Sequence, residues 1–466
     1  MLIDEFIYQA TQELGVDPTE GQRRVLSVFR QFMADADERA VMILRGSAGT
    51  GKTTLASAVV RTMMRWKQKT LLMAPTGRAA KVFSLTSGYA AYTIHRCIYR
   101  QRSLEGGFSL SYNRHADTLF IVDEASMIAA DVLPDLIHFV YSKPSCRMLL
   151  IGDAAQLPPV GETHSPALLS QVYRDCFLHV YEADLSEVLR QSHESGILWN
   201  ATRLRGMAAS VLPQIRLHGF ADIAIVTGDE LIETLASSYS RAGIDETMVI
   251  TRSNKRANIY NIGIRNTILD REEELSRGDQ LMVVKNKYLH TDPSTLHPNP
   301  STFFIANGDR AVVQRVRHVR TLYGFRFADV ALTFPDYDDM DLQTTVLLDT
   351  LQSEAPALTP QQSEQLFQAV LDDYSHIPTK GERMQQLRQD PHFNAMQVKY
   401  GYAVTCHKAQ GGQWAHVYID QGYMTDDMLN ADYFHWLYTA FTRATEHLYL
   451  VNWPRAQTET TTIHSA

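Results

Sequence analysis

The 466-residue chain has only four cysteines, Cys97, Cys146, Cys176 and Cys406, and no CxxC pair among them. That spacing offers neither a zinc site nor a disulfide framework, and a reducing compartment is the simple reading. No apolar run approaches the roughly 18–20 residues that a bilayer crossing needs. The first residues, Met1-Leu2-Ile3-Asp4-Glu5, lack the basic region and apolar core of a secretory signal. A cytoplasmic chain with no membrane partner is therefore expected. Internal repeats and low-complexity tracts are absent too. So is an excess of basic charge, since 44 Lys and Arg against 52 Asp and Glu make a formal net charge of −8. A strongly basic balance would have pointed to a polyanion partner outright, but a global sum does not exclude one, because binding depends on local basic groups. With 45% hydrophobic and 21% charged residues, the chain reads as soluble and globular. Its length predicts two to four domains.

What is present begins at residues 46–53, Gly-Ser-Ala-Gly-Thr-Gly-Lys-Thr, between the apolar run Val41-Met42-Ile43-Leu44 and a helix-like stretch. This is a P-loop. Glycines at 46, 49 and 51 let the backbone curl so that successive amides face one anion. Ser47, Ala48, Gly49, Thr50, Gly51, Lys52, Thr53 and Thr54 form the predicted phosphate cradle. Lys52 is expected to reach the β- and γ-phosphates, and the Thr53 hydroxyl to sit on Mg²⁺. The helix starting near Lys52 adds its positive dipole end. An ordinary Gly-rich turn is the alternative, and the full pattern between strand and helix argues against it.

From residue 41 to about 185 short apolar strands alternate with helical stretches, the strands falling at 41–44, 70–74, 119–122 and 148–152. That pattern predicts an α/β fold, a parallel sheet covered by helices with ligand loops at the strand C-termini. A second set begins near Met248-Val249-Ile250, resumes at Tyr402-Ala403-Val404 and His416 to Ile419, and closes with Leu448 to Val451. Residues 311–397 change character, with short antiparallel strands and then a helix start at Thr359-Pro360-Gln361-Gln362. Residues 100–117 suit a small hairpin. The expected organisation is a first core at 1–187 carrying the hairpin, a second core at 188–310 plus 398–466, and an accessory insert at 311–397.

The strand Leu119-Phe120-Ile121-Val122 ends in Asp123-Glu124. Asp123 is placed to hold Mg²⁺ and Glu124 to orient and deprotonate an attacking water. Acidic pairs are common at solvated strand ends; about 70 residues after a P-loop this one gains weight. A third strand ends at Gly152 to Gly161, where Gln156 is suited to sensing a γ-phosphate and the Pro158-Pro159 pair stiffens the loop. Thr19 and Gln22 precede the P-loop at the distance of an adenine clamp, although Gln22 alone reads as an exposed helix residue.

Together these segments resemble the superfamily 1 helicases, most closely the RecD/Dda-type branch that moves 5′ to 3′. The carriers are the Gln22 segment, the P-loop, Ala74-Pro75-Thr76-Gly77-Arg78-Ala79-Ala80, Thr93-Ile94-His95, Asp123-Glu124-Ala125-Ser126 and Gly152 to Gly161. Leu189-Arg190-Gln191, Thr405-Cys406-His407-Lys408-Ala409-Gln410-Gly411 and Tyr438-Thr439-Ala440-Phe441-Thr442-Arg443-Ala444 follow in family order. The resemblance implies two RecA-like cores in tandem, the insert of the second being a small, barrel-like, SH3-like domain. It implies ATP and Mg²⁺ between the cores, Arg443 as an arginine finger, Arg190 as a second positive contact, and Gln410 and Gly411 coupling nucleotide to DNA. Pro75, Thr76, Arg78, Thr93, His95, Thr405, His407 and Lys408 are the implied DNA contacts, with Arg252 and Asn254 weaker candidates that also suit a helix cap. Tyr92, Tyr99, Phe108 and Trp414 are possible base-stacking residues or simply core. The hairpin at 100–117 is the element expected at a duplex junction, or an idle surface loop.

The implied activity is a monomeric ATP-dependent DNA helicase on single-stranded DNA and duplex junctions. Its implied setting is DNA replication, repair or recombination, near the nucleoid in a bacterial cell. Two rivals stay open: a motor subunit of a larger recombination nuclease, and a nucleotide-gated single-strand clamp.

Overall fold

The computed structural model describes residues 2–37, 39–101, 108–187, 194–207, 211–289, 303–425 and 428–459. The chain forms two compact units, one made of Met1–Tyr99, Leu110–Ile250 and Cys406–Ala466, the other of Arg100–Ser109 and Thr251–Thr405.

The first unit holds two sheets. Six strands make the larger one, in the spatial order Ala91–Thr93, Thr70–Ala74, Leu119–Val122, Arg147–Gly152, Ala40–Gly46 and His179–Leu185. Every pairing is parallel. The four strands expected from apolar runs are there, and all four lie inside the sheet. Their side chains alternate between two buried layers. Met42 and Leu44 join Phe6, Leu26, Phe29, Leu55 and Val59 on one face. Val41 and Ile43 join Ile94, Leu133, Leu136 and Phe139 on the other. The two edge strands were not expected. Ala91–Thr93 is only three residues long, and His179–Leu185 alternates polar and apolar residues because one of its sides meets solvent.

In the second sheet the strands Thr247–Thr251, Trp414–Asp420, Ala444–Val451 and Ile223–Val226 follow one another. Trp414–Asp420 pairs parallel with Ala444–Val451, and that strand pairs parallel with Ile223–Val226. The helix Ala431–Phe441, capped by Asn430, is buried over most of its length.

The second unit is built on a closed five-stranded barrel of Gln280–Val283, Arg310–Leu322, Phe325–Phe334, Met340–Leu347 and Met396–Tyr400. Its pairings are antiparallel except that Met340–Leu347 runs parallel to Met396–Tyr400. The barrel therefore draws its first strand from before residue 311. Two helices, Pro360–Asp373 and Lys380–Gln389, set Leu366, Val370 and Leu387 against Phe325, Phe327 and Leu347. The first of them opens on a capping box between Thr359 and Gln362 with Pro360 in the first turn, as its residues predict. The strands Tyr99–Gln101 and Phe108–Leu110 pair as a two-stranded sheet. No helix among the described residues is long and apolar enough to cross a membrane.

Candidate nucleotide site and nucleic-acid face

The P-loop links the strand Ala40–Gly46 to the helix Lys52–Arg65. Gly49 and Gly51 take φ values of 75° and 77°, a left-handed backbone that a side chain would strain. The buried Thr50 hydroxyl donates to the Ser47 carbonyl at 2.8 Å and holds the curl. Lys52 Nζ donates to the same carbonyl at 3.0 Å and lies 4.0 Å from Asp153 Oδ2. Thr53 is half-buried and Thr54 exposed at the helix start.

Asp123 and Glu124 follow a strand that is buried along its whole length. The Asp123 amide donates to Met73 O at 3.0 Å, extending the sheet by one bond. Its carboxylate accepts the Glu124 amide at 2.9 Å. Burial, and then the charge of Glu124, push the Asp123 carboxyl well above the usual carboxylate range; the Glu124 amide and Lys52 oppose this. Glu124 itself has φ 52°, a left-handed conformation costing a non-glycine residue on the order of 1–3 kcal/mol. The strain turns the chain out of the strand just where the second carboxylate is presented. Across the same sheet end, Gln156 is buried, and its Oε1 has no hydrogen-bond partner among the described residues.

The two sheets of the first unit meet at this place. The Leu157 amide donates to Thr439 Oγ1 at 2.7 Å, and Gln410 Nε2 donates to Leu157 O at 2.6 Å. His435 Nδ1 is 2.9 Å from Ala155 O. The Tyr438 hydroxyl accepts the Ala48 amide at 2.9 Å and donates to Asp153 Oδ2 at 2.6 Å. His435, Tyr438 and Thr439 sit at i, i+3 and i+4 on one helix, so a single face docks on the loop after the third strand. Sequence reasoning missed this face, although His435 stands just before the Tyr438 motif at helical spacing. Gly411 comes so close to Thr76 that an added Cβ would stand 3.0 Å from its hydroxyl oxygen.

Arg443 is buried inside the second core. Its guanidinium donates to Thr439 O, Gly412 O and Thr442 Oγ1, each at 3.0 Å. It therefore stands one residue contact behind the seam that Thr439 makes with Leu157. Arg190 lies outside the described residues. Gln22 is buried, where an exposed position was the alternative to an adenine contact. Its Oε1 accepts the Thr19 amide at 3.0 Å, completing a capping box for the helix Glu20–Ala34.

The expected DNA-contacting residues separate into distinct settings. Pro75 is half-buried, and the Thr76 hydroxyl caps the helix Gly77–Ser87 by accepting the Ala79 amide at 3.2 Å. Arg78 is turned onto the second core: it bonds the Gln413 carbonyl and stacks 4.3 Å from the Trp414 ring centroid. Trp414, a candidate for base stacking, is 2% exposed and belongs to the core. Thr93 is buried and caps the helix Ile94–Ile98, while burial lowers the pKa of His95 against the opposing charge of Asp131. Tyr99 donates to Asp135 at 2.7 Å, and Arg96 lies 4.9 Å over the Tyr92 ring. The Phe108 side chain lies outside what the structure describes. His407 is exposed and Lys408 half-buried on the short helix Cys406–Ala409. In the second unit Arg252 is exposed, and Asn254 and Thr405 are half-buried. There Ser253, rather than Asn254, caps the helix Asn254–Gly263.

Residues 19–222 match the AAA domain family, and residues 400–451 match the UvrD-like helicase C-terminal domain. The chain is similar to two ATP-dependent DNA helicases. It is 26% identical over 280 residues to the ATP-dependent DNA helicase dda of Enterobacteria phage T4, covering 57% of this chain and 61% of that protein. It is 35% identical over 150 residues to the ATP-dependent RecD2 DNA helicase of Deinococcus radiodurans, covering 29% of this chain and 19% of the relative. The chain thus spans less than two thirds of the length of both. Pif1 helicase from Candida albicans superposes with a TM-score of 0.45 at 15% identity, over 96% of each chain.

Proposed function

We propose that this chain is an ATP-driven DNA helicase that walks 5′ to 3′ along single-stranded DNA and opens duplex. The observation that carries this reading is the seam within the first unit. The loop that holds Gln156 is bonded directly to Gln410 and Thr439 of the second core. A change at the phosphate end of one sheet therefore moves groups belonging to the other, which is the mechanical requirement of a motor.

In the proposed reaction Lys52 and the P-loop amides hold the phosphates, and Glu124 takes the proton of the attacking water. Mg²⁺ fits the donor set, because Asp123 and Glu124 are adjacent carboxylates whose mutual charge and burial are relieved by a cation. Thr53 and Asp123 would hold it, and it would neutralise charge on the transferring phosphoryl group. Gln156, whose buried Oε1 has no hydrogen-bond partner among the described residues, reports the phosphate to Leu157, and Leu157 to Thr439 and Gln410. Arg443 acts on the γ-phosphate after leaving its present partners, or else sets Thr439 from behind. Arg190 adds a positive contact. Gln22 reads adenine with the part of its amide that the capping box leaves over.

On the DNA side, the exposed His407 and half-buried Lys408 are proposed contacts of the first unit, and Thr405, Arg252 and Asn254 are separate candidates of the second. Pro75, Thr76 and His95 form the first-core edge of that set, while Arg78 is engaged by Gln413 and Trp414 and Thr93 is buried as a helix cap. Such contacts hold backbone, so little base preference and a marked salt dependence are expected.

Hydrolysis of ATP with and without single-stranded DNA, then unwinding of forks carrying a 5′ or a 3′ tail, tests the reading. Lys52→Ala and Glu124→Gln are each to abolish turnover while strand binding survives. Unwinding from 3′ tails alone would overturn the polarity; turnover that survives in Lys52→Ala would overturn the site.

A further inference from the structure

We propose that Tyr438 is a positioning residue through which the second core sets the geometry of the P-loop. This rests on the nucleotide site argued above and adds a control on it. The tyrosine hydroxyl touches both the P-loop backbone, at Ala48, and the acidic strand end, at Asp153. An amide can only donate and a carboxylate can only accept, so the hydroxyl must accept from Ala48 and donate to Asp153. Burial, and then the Asp153 charge, hold the phenol protonated far above its ordinary range, so this direction does not reverse.

Asp153 is in turn 4.0 Å from Lys52 Nζ. One hydroxyl therefore sets two coordinates of the cradle, the path of the loop at Ala48 and the counter-charge beside the lysine. Because Tyr438 shares its helix face with His435 and Thr439, any movement of the helix Ala431–Phe441 along the loop 153–157 must shift all three contacts together. The P-loop thus receives the position of the second core at first hand, without passing through Gln156. Any effect of single-stranded DNA on that helix reaches the phosphates by this route.

Tyr438→Phe keeps the ring and removes both bonds. ATP turnover at saturating oligodeoxythymidylate is to fall roughly 10- to 100-fold, as expected when a catalytic group is misplaced by a fraction of an ångström. KM for ATP and affinity for the oligonucleotide are to stay within about two-fold, since neither the amides nor the DNA face is removed. Asp153→Asn weakens the bridge from its other end, and the double variant is to be no worse than the worse single one. Turnover in Tyr438→Phe within about two-fold of the parent would overturn the proposal. So would a loss shared equally by strand binding and thermal stability, which marks a packing role. If the parent protein hydrolyses no ATP, the nucleotide site itself fails, and that outcome is separate from these.

Discussion

An alanine at Gly46 is the sharpest probe of the cradle, because the space it would need is already occupied. A Cβ there would stand 2.7 Å from Lys52 Cγ, 2.8 Å from Lys52 Cδ and 3.0 Å from Leu185 Cβ. Ordinary contact begins at 3.4 Å, so Lys52 must give way by 3.4 − 2.7 = 0.7 Å to restore it. The clash is with the inner half of the side chain, which carries the ammonium with it. A displacement of that size in a positioned group costs roughly 10²-fold in rate. The overpacking costs about 1–3 kcal/mol in stability. Gly88→Ala is the matched control: its φ of 81° strains a side chain, yet an added Cβ meets nothing within 4 Å. It is to lose about 1 kcal/mol of stability and no turnover. Steady-state ATP hydrolysis at saturating single-stranded DNA, with thermal unfolding of all three proteins, gives both numbers. Parent-like turnover in Gly46→Ala would refute the placement of Lys52 or its part in the chemistry.

Gln22→Ala is to cost about 1 kcal/mol through the lost capping box. It should also raise KM for ATP more than for GTP; equal changes would leave Gln22 a helix cap and nothing else. Lys408→Ala is to weaken single-strand binding uniformly across sequences and reduce the salt slope by about one phosphate contact, as read by fluorescence anisotropy over a salt series. An unchanged slope would remove Lys408 from the DNA face. In the barrel, burial lowers the Lys399 ammonium from 10.5 to about 8. The unfolded chain binds the extra proton between those values, so the parent gains stability as pH rises through that window. Denaturant unfolding of Lys399→Met against the parent should show the advantage of Met shrinking by roughly 1 kcal/mol from pH 7 to pH 10.5, after allowance for solvent screening. A constant difference would mean that the charge is not held out of water.

The barrel and the seam show why some of this molecule could not be read from residues alone. Barrel strands alternate polar and apolar positions weakly, and closure takes Gln280–Val283 from far outside the stretch whose composition changes. Gln22 looked like an exposed helix residue because its burial depends on what covers it, and local pattern carries no such information. Trp414 and Arg78 each looked available to DNA; 336 positions apart, they stack on one another.

What the amino-acid order determined by itself is which groups stand at the strand ends. The P-loop, the Asp123-Glu124 pair and the Gln156 loop are each contiguous, and each needs only a buried strand to carry it to the same edge of a parallel sheet. Apolar runs such as Met42 to Leu44 and Leu119 to Val122 guarantee that much, since hydration excludes them from the surface. Tertiary structure alone decided which of the remaining polar groups face inward. Tyr438 on Ala48 and Asp153, Thr439 on Leu157, and Arg443 among three acceptors of its own core are long-range or burial-dependent pairings. Their energies come from desolvated hydrogen bonds, and those exist only once two distant segments have shut water out between them.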